Sequence, residues 1–258
     1  MNVEGFTISN NVYIPERLKP DGLFEKKYIE LRNKEQRIYS DEELMLLPSI
    51  PKNHIHYNEW QIRKRSCNRL IQYLQNKPAP LRILEVGCGN GWLSRRLAGI
   101  PGSKVIGSDV NFTELQQAAR VFSQIPNLLF IYGDVGSDIL EKMEFDCIVF
   151  ASCIQYFSPL HDVIKHSLEL LKPGGEIHIL DSPIYKSSET AEAKKRTESY
   201  YAELGFPEMT SHYYHHSINE LREFGFEILY QPSSIQNYIL GNKNPFPWLC
   251  IKRTAIIA

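Results

Sequence analysis

The stretch Leu81–Leu93, LRILEVGCGNGWL, limits what this chain can fold into more than any other. Apolar Leu81, Ile83, Leu84 and Val86 run into a turn holding Gly87, Gly89 and Gly91, and an amphipathic run opens at Trp92. A buried strand that ends in a glycine turn and opens a helix makes a site for a nucleotide-like ligand. Glycine lets backbone N–H groups approach such a ligand where a Cβ would collide. Glu85 places a carboxylate on an otherwise apolar strand. The register also excludes. The dinucleotide fingerprint G-x-G-x-x-G needs a glycine at its last position beneath a pyrophosphate. Here the register is G-x-G-x-G and Trp92 fills that position, which disfavours a nicotinamide-dependent oxidoreductase.

Further strand–helix units follow at regular intervals. Lys104–Val110 reads as a second strand carrying Asp109 near its end, roughly 20 positions beyond the turn. A carboxylate there can accept hydrogen bonds from both ribose hydroxyls, or can simply cap the next helix. Asn111 with Glu114 three residues on marks that helix start, and Leu115, Ala118, Ala119 and Phe122 give its buried stripe. Leu128–Tyr132 is a third strand, followed by Gly133-Asp134-Val135. Phe145–Ala151 is a fourth, with the near-continuous apolar run of a strand buried on both faces. It leads into Ser152-Cys153-Ile154-Gln155-Tyr156-Phe157. A helix from Ser158-Pro159, the turn Lys172-Pro173-Gly174-Gly175 and a fifth strand, Glu176–Asp181, come next. Phe226–Tyr230 and Trp248–Ile257 make a hairpin-like final pair.

E-V-G-C-G-N-G, Asp109, Gly133-Asp134 and L-K-P-G-G together resemble the class I S-adenosylmethionine-dependent methyltransferases, over about residues 80–258. The resemblance implies an α/β fold, a Rossmann-like seven-stranded mixed sheet with the last strand antiparallel and helices on both faces. It implies S-adenosyl-L-methionine as cofactor. Glu85, Gly87, Cys88, Gly89, Asn90 and Gly91 would meet its amino-acid portion, and Asp109, Val110 and Asn111 its ribose. Gly133, Asp134 and Val135 would meet the adenine, unless Gly133-Asp134 is a plain turn. Ala151 and Ser152 would face the methionine, with Gln155 and Tyr156 toward the acceptor.

Two regions match poorly. Residues 1–79 read as a helical N-terminal cap. In it Ser40 and Glu43 form a capping box, and Cys67, Leu70, Ile71 and Leu74 lie at helical spacing. In the family a helix before the first strand commonly covers the cofactor, so Arg63 could pair with the methionine carboxylate and Tyr57 could close the pocket. Otherwise Trp60 is a helix anchor and Arg63 belongs to a solvated face. Residues 183–216 form an insert after the fifth strand, read as a substrate lid. Ser187 or Ser188 would cap its helix, and Tyr185 and Tyr213 would orient a substrate. His212, His215, His216 and Asp181 are the candidate general bases. The spacing of the histidines, without Cys or a carboxylate pattern, argues against a metal.

Near-neutral charge (−1) and the absence of an N/D-P-P-Y/F motif after the fourth strand point to a small-molecule acceptor rather than a nucleic acid. A protein or RNA methyltransferase with the same core and a non-catalytic cofactor-binding module remain the alternatives. Five scattered cysteines, no signal-like start and no apolar run near the roughly 20 residues of a membrane span imply a cytoplasmic protein, monomer or homodimer.

Overall fold

Alternation along the central strands builds two cores, one on each face of a sheet. The computed structural model describes residues 5–19, 22–136, 140, 143–232 and 244–254. In β3 (Arg82–Val86), Ile83 packs with one cluster while Leu84 and Val86 pack with the other. In β6 (Phe145–Ala151), Cys147 and Val149 join the first cluster, Ile148 and Phe150 the second. That period of two, apolar on both sides, is the pattern of a parallel strand covered by helices on both faces. The first face receives α3 (Tyr57–Gln75), α4 (Trp92–Ala98) and α5 (Phe112–Val121), through Leu70, Leu74, Leu97 and Leu115. The second receives α6 (Leu160–Leu170), through Leu160 and Ile164.

The remaining strands are β1 (Phe6–Ser9), β2 (Val12–Pro15), β4 (Lys104–Asp109), β5 (Leu128–Tyr132), β7 (Leu171–Leu180), β8 (Glu227–Tyr230) and β9 (Trp248–Lys252). They order as β1-β2-β5-β4-β3-β6-β7-β9-β8. Strands β3 to β7 are mutually parallel, and β9 runs antiparallel to both β7 and β8. The sheet therefore has the expected mixed core with the last strand antiparallel, plus two strands. Those two correct the wholly helical reading of residues 1–79. Asn10 and Asn11, at φ +50° and +63°, turn β1 onto β2, and β2 adds in parallel to the edge of β5.

The strand after the L-K-P-G-G segment starts at Leu171, and four of its residues stand opposite Asp146 alone, where Lys172 Nζ reaches the carboxylate at 2.8 Å. The helix of the insert, α7 (Thr190–Leu204), takes Glu189 as its N-cap, neither Ser187 nor Ser188. Its C-terminal Gly205 sits at φ +85° as expected of a terminating glycine. The capping boxes at Ser40–Glu43 and Ser217–Glu220 both form, the first opening α2 (Asp41–Leu46) and the second a 3₁₀ segment, Ile218–Phe224. The expected end of the last strand, beyond residue 254, lies outside the described residues.

The two poorly matched regions meet each other. In α1 (Gly22–Lys34), Leu31 packs with Tyr201 and Met209 of the insert in a separate small core. Lys27 Nζ lies 2.8 Å from Glu208 Oε1, and the Thr113 N–H donates to Glu25 at 2.6 Å. N-terminal helix, insert and the start of α5 are thus tied into one cover.

Candidate active site

Strand order reverses between β3 and β6, so their C-terminal ends leave a crevice where ligands bind in open α/β sheets. Register brings the ends level: Val86 pairs with Ser108 and Phe150, and Asp109 with Tyr132. Segments far apart in sequence are thereby gathered around one cavity of about 260 Å³. Glu85, Gly87, Cys88, Gly89, Asn90, Asp109, Val110, Asn111, Gly133, Asp134, Ala151, Ser152, Tyr156, Arg63 and His212 all line it.

Asp109 organises the floor. Its two carboxylate oxygens accept the Gly89 N–H at 2.7 Å and the Asn111 N–H at 2.8 Å, so one side chain fixes the glycine turn and the start of α5. Burial raises its carboxyl above the ordinary value, against those backbone hydrogen bonds. Asn111 caps α5 with Oδ1, which accepts the Glu114 N–H at 3.0 Å, while its buried Nδ2 has no partner among the described residues. An orphan donor and a carboxylate with spare lone pairs fit a ligand rich in hydroxyls and ring nitrogens. The glycines divide their roles. A Cβ on Gly87 would stand 2.7 Å from that of Cys153, and one on Gly91 2.6 Å from the Phe130 ring, so protein packing claims both spaces. The open side belongs to Gly89, whose Cβ would meet only the Glu114 carboxylate, at 3.4 Å.

Glu85 falls on the face that packs against α4, where the Ser94 hydroxyl donates to it. Burial among apolar groups pushes its carboxyl up to about 8, partly offset by the Ser94 hydrogen bond. A carboxyl whose folded value is raised adds stability below its unfolded value of about 4.5, and this is lost as pH climbs through about 8. Wild-type stability should therefore fall, on the order of a few kcal/mol, relative to Glu85→Gln between pH 5 and 8.5. Denaturant midpoints at the two pH values check this; parallel slopes for the two proteins would refute it.

The cover contributes residues that the sequence did not single out. Tyr28, Arg32, Arg37, Tyr39, Glu59 and Tyr214 face the cavity, beside Trp60 of α3 and Glu114 of α5. Trp60 is both anchor and wall: its Nε1–H donates to Tyr39 Oη at 2.7 Å and its ring meets Trp92 edge-on at 5.2 Å. Arg63 lies over the Trp60 ring and shares Glu59 with Arg37. Against its burial, the Arg37 hydrogen bond and the Arg63 charge hold Glu59 down to about 2.

Several expected site residues stand elsewhere. Asp181 turns away at φ +53° and accepts the Ser66 hydroxyl at 2.6 Å, and burial raises it to about 6. His215 Nε2 lies 2.9 Å from Thr197 Oγ1, and His216 is buried with Nε2 3.2 Å from the Ile154 carbonyl. Of the three histidines, His212 reaches the cavity. Where the 3₁₀ turn Pro207–His212 gives way to extended backbone at Tyr213, His212 and Tyr214 line the cavity, while Tyr213 backs Tyr156 from behind, ring to ring at 5.7 Å. Tyr185 pairs with Ser217 and stacks near His215. Gln155 is buried and donates to the Ser152 carbonyl at 2.8 Å. Val135 packs in the second core, Gly91 under Phe130, and Tyr57 begins α3 one turn before Trp60, outside the lining.

Glu176, His178 and Cys250 are close enough to share a metal, but their protons forbid it. Trp248 Nε1–H donates to His178 Nδ1 at 3.2 Å, so a neutral imidazole carries its proton on Nε2, the atom a metal would need. Lys77 Nζ, 2.8 Å from Glu176, already supplies the cation.

Residues 83–175 match a family described as a methyltransferase domain. The chain is 29% identical over 131 residues to a malonyl-[acyl-carrier protein] O-methyltransferase of Halalkalibacterium halodurans, covering 47% of this chain and 48% of that one. It is 25% identical over 173 residues to a sterol 24-C-methyltransferase of Saccharomyces cerevisiae, covering 64% of this chain and 43% of the relative. The chain thus spans about half the length of the curated relatives it matches. Among solved structures it resembles the magnesium protoporphyrin IX methyltransferase of Synechocystis with bound S-adenosylhomocysteine. That likeness has a TM-score of 0.53 at 19% identity and covers 86% of this chain and 94% of that one. It also resembles the CurJ carbon methyltransferase, with a TM-score of 0.58 at 16% identity over 86% of this chain and 61% of the other. At such identities the agreement is one of fold.

Proposed function

We propose that the chain, whose residues 83–175 match a methyltransferase domain, is a class I methyltransferase that transfers the methyl group of S-adenosylmethionine to a small-molecule acceptor. The supporting observation is the gathering of the glycine turn, Asp109, Asn111, Asp134 and Ser152 around one cavity at the switch point of the sheet. Asp109 would accept the ribose hydroxyls while it holds the Gly89 and Asn111 N–H groups. Asp134 would accept from the adenine amino group, and Glu85 would face the methionine ammonium. The bound cofactor supplies a methyl carbon already activated by a positive sulfur, open to in-line displacement.

The chain's own part is alignment and exclusion of water. Tyr156 and Phe157, after β6, and His212 and Tyr214, from the insert, wall the cavity together with Tyr28 of α1. Holding reactants in line can lower a barrier by on the order of 7–11 kcal/mol in favourable cases. Where the acceptor is a hydroxyl, the His212 imidazole, which lines the cavity, would take its proton, worth roughly 10²–10⁴-fold. We also place the reaction in the cytoplasm, on the strength of five buried free cysteines. No helix among the described residues is long and apolar enough to cross a membrane.

Release of S-adenosylhomocysteine from radiolabelled S-adenosylmethionine, screened over small acceptor classes, tests the reading. Turnover with a small acceptor is expected, and His212→Ala should lower it about 10²-fold for a hydroxyl acceptor. Methylation of RNA or protein with no small acceptor found would overturn the substrate class.

A further inference from the structure

Guanidinium groups outnumber the carboxylates that serve them at the covered end of the cavity. Arg32 from α1, Arg37 from the loop after it and Arg63 from α3 all line the wall. Arg37 Nη1 and Arg63 Nη2 approach the same oxygen of Glu59, at 2.6 and 2.9 Å. Glu35 lies 3.3 Å from Arg32 Nη1 and 3.5 Å from Arg37 Nε, and its other oxygen accepts the Tyr200 hydroxyl at 2.5 Å. Two carboxylates therefore answer three cations. The Arg32 Nε is buried with no hydrogen-bond partner among the described residues. Glu114, the further carboxyl near Arg32, is raised by burial to about 7 and carries only part of a charge at neutral pH.

On the cofactor reading the methionine carboxylate would take up Arg63, which leaves Arg32, with its unpartnered buried Nε, and position assigns Arg32 to the acceptor rather than to the cofactor. The groups suited to the nucleotide, from Gly87 to Asp134, come from the matched segment, residues 83–175. Arg32 comes from α1, which lies outside that segment. Its guanidinium lies 5.5 Å from the Tyr28 ring centre, and Tyr28 meets Tyr156, on the turn after β6, edge-on at 6.2 Å. Tyr213 then backs Tyr156 from the insert. The surroundings of Arg32 are thus an aromatic compartment built by α1, the post-β6 turn and the insert.

We infer that the acceptor carries a carboxylate and that Arg32 binds it. This rests on the cofactor reading above. A guanidinium offers a planar pair of donors that matches a carboxylate, and a charge-assisted pair of this kind is about twice as strong as a neutral hydrogen bond. A neutral amide of the same shape lacks the charge and presents N–H groups to a donor, so it is rejected.

The experiment uses the intact chain saturated with S-adenosylhomocysteine, titrated with matched pairs of aromatic or aliphatic carboxylic acids and their primary amides. Wild type, Arg32→Gln and Arg32→Lys are compared, with affinity for S-adenosylhomocysteine measured first. The inference expects at least one acid to bind ten-fold or more tightly than its amide. Arg32→Gln should abolish that preference, Arg32→Lys should retain part of it, and both should keep cofactor affinity within about two-fold. Acids and amides binding alike in wild type, or no acid binding, would overturn it. So would loss of S-adenosylhomocysteine binding in Arg32→Gln, which would give Arg32 to the cofactor. Failure of wild type to bind S-adenosylhomocysteine would instead sink the cofactor reading itself, and this inference with it.

Discussion

Gly91→Ala is expected to destabilise the fold by roughly 2–5 kcal/mol, the largest stability effect of any single methyl added to the glycine turn. Gly91 is the N-cap of α4 and sits at φ +72°, in the left-handed region, where a side chain costs roughly 1–2 kcal/mol. The added Cβ would also stand 2.6 Å from two carbons of the Phe130 ring and 3.0 Å from the Ala118 Cβ. Phe130 is buried in β5, so the ring has little room to retreat, and overpacking of this kind costs roughly 1–3 kcal/mol. Urea unfolding measures the loss. Gly89→Ala is the informative contrast: at φ +52° it bears the same backbone cost, but its Cβ would meet only the flexible end of Glu114, so it should destabilise less than Gly91→Ala and perturb ligand binding more. A Gly91→Ala protein within about 0.5 kcal/mol of wild type would show that the turn and the ring relax together, contrary to the close packing described.

Asp109→Ala should reduce affinity for S-adenosylhomocysteine by on the order of 10²-fold or more, the largest binding effect expected of a single side chain. Two losses combine. The ribose loses a charged acceptor, worth about 1.5–3 kcal/mol for a hydrogen bond to an ionised group. The Gly89 and Asn111 N–H groups lose the oxygens that now hold them at 2.7 and 2.8 Å, so the turn and the start of α5 are no longer pre-set. Asp109→Asn, which keeps one oxygen, should lie between the two. Calorimetric titration of the three proteins reads the series, and an unchanged affinity in Asp109→Ala would remove the ribose assignment.

Buried parallel strands announce themselves, which is why Leu128–Tyr132 and Phe145–Ala151 could be read to the residue. Their apolar runs serve both faces and need no partner to be recognised. Asp109 and Asn111 were legible for a related reason: local chemistry at a strand end and a helix cap fixes them. The hairpin Phe6–Pro15 escaped because each strand has only four residues, although Asn10-Asn11 between them is a two-residue turn signal that would have found it. Arg32, Arg37, Tyr39 and Glu59 escaped for a different reason. They enter the site through packing of α1 against the insert and of α3 against α4, and nothing in their own neighbourhood marks which face will meet a cavity. Asp181 and His216 carry the right chemistry at the right distance along the chain, yet the backbone at Asp181 turns it onto Ser66 and His216 is enclosed beside the Ile154 carbonyl. Residue type suggested catalysis at both positions; direction decided otherwise.

Calorimetric titration of the intact wild-type chain with S-adenosylhomocysteine, run beside NAD as the competing nucleotide, decides which cofactor the crevice holds. One saturable site per chain for S-adenosylhomocysteine, and no binding heat from NAD, is the predicted result. Absence of binding by S-adenosylhomocysteine, or equal binding of NAD despite Trp92 beneath the glycine turn, would contradict it.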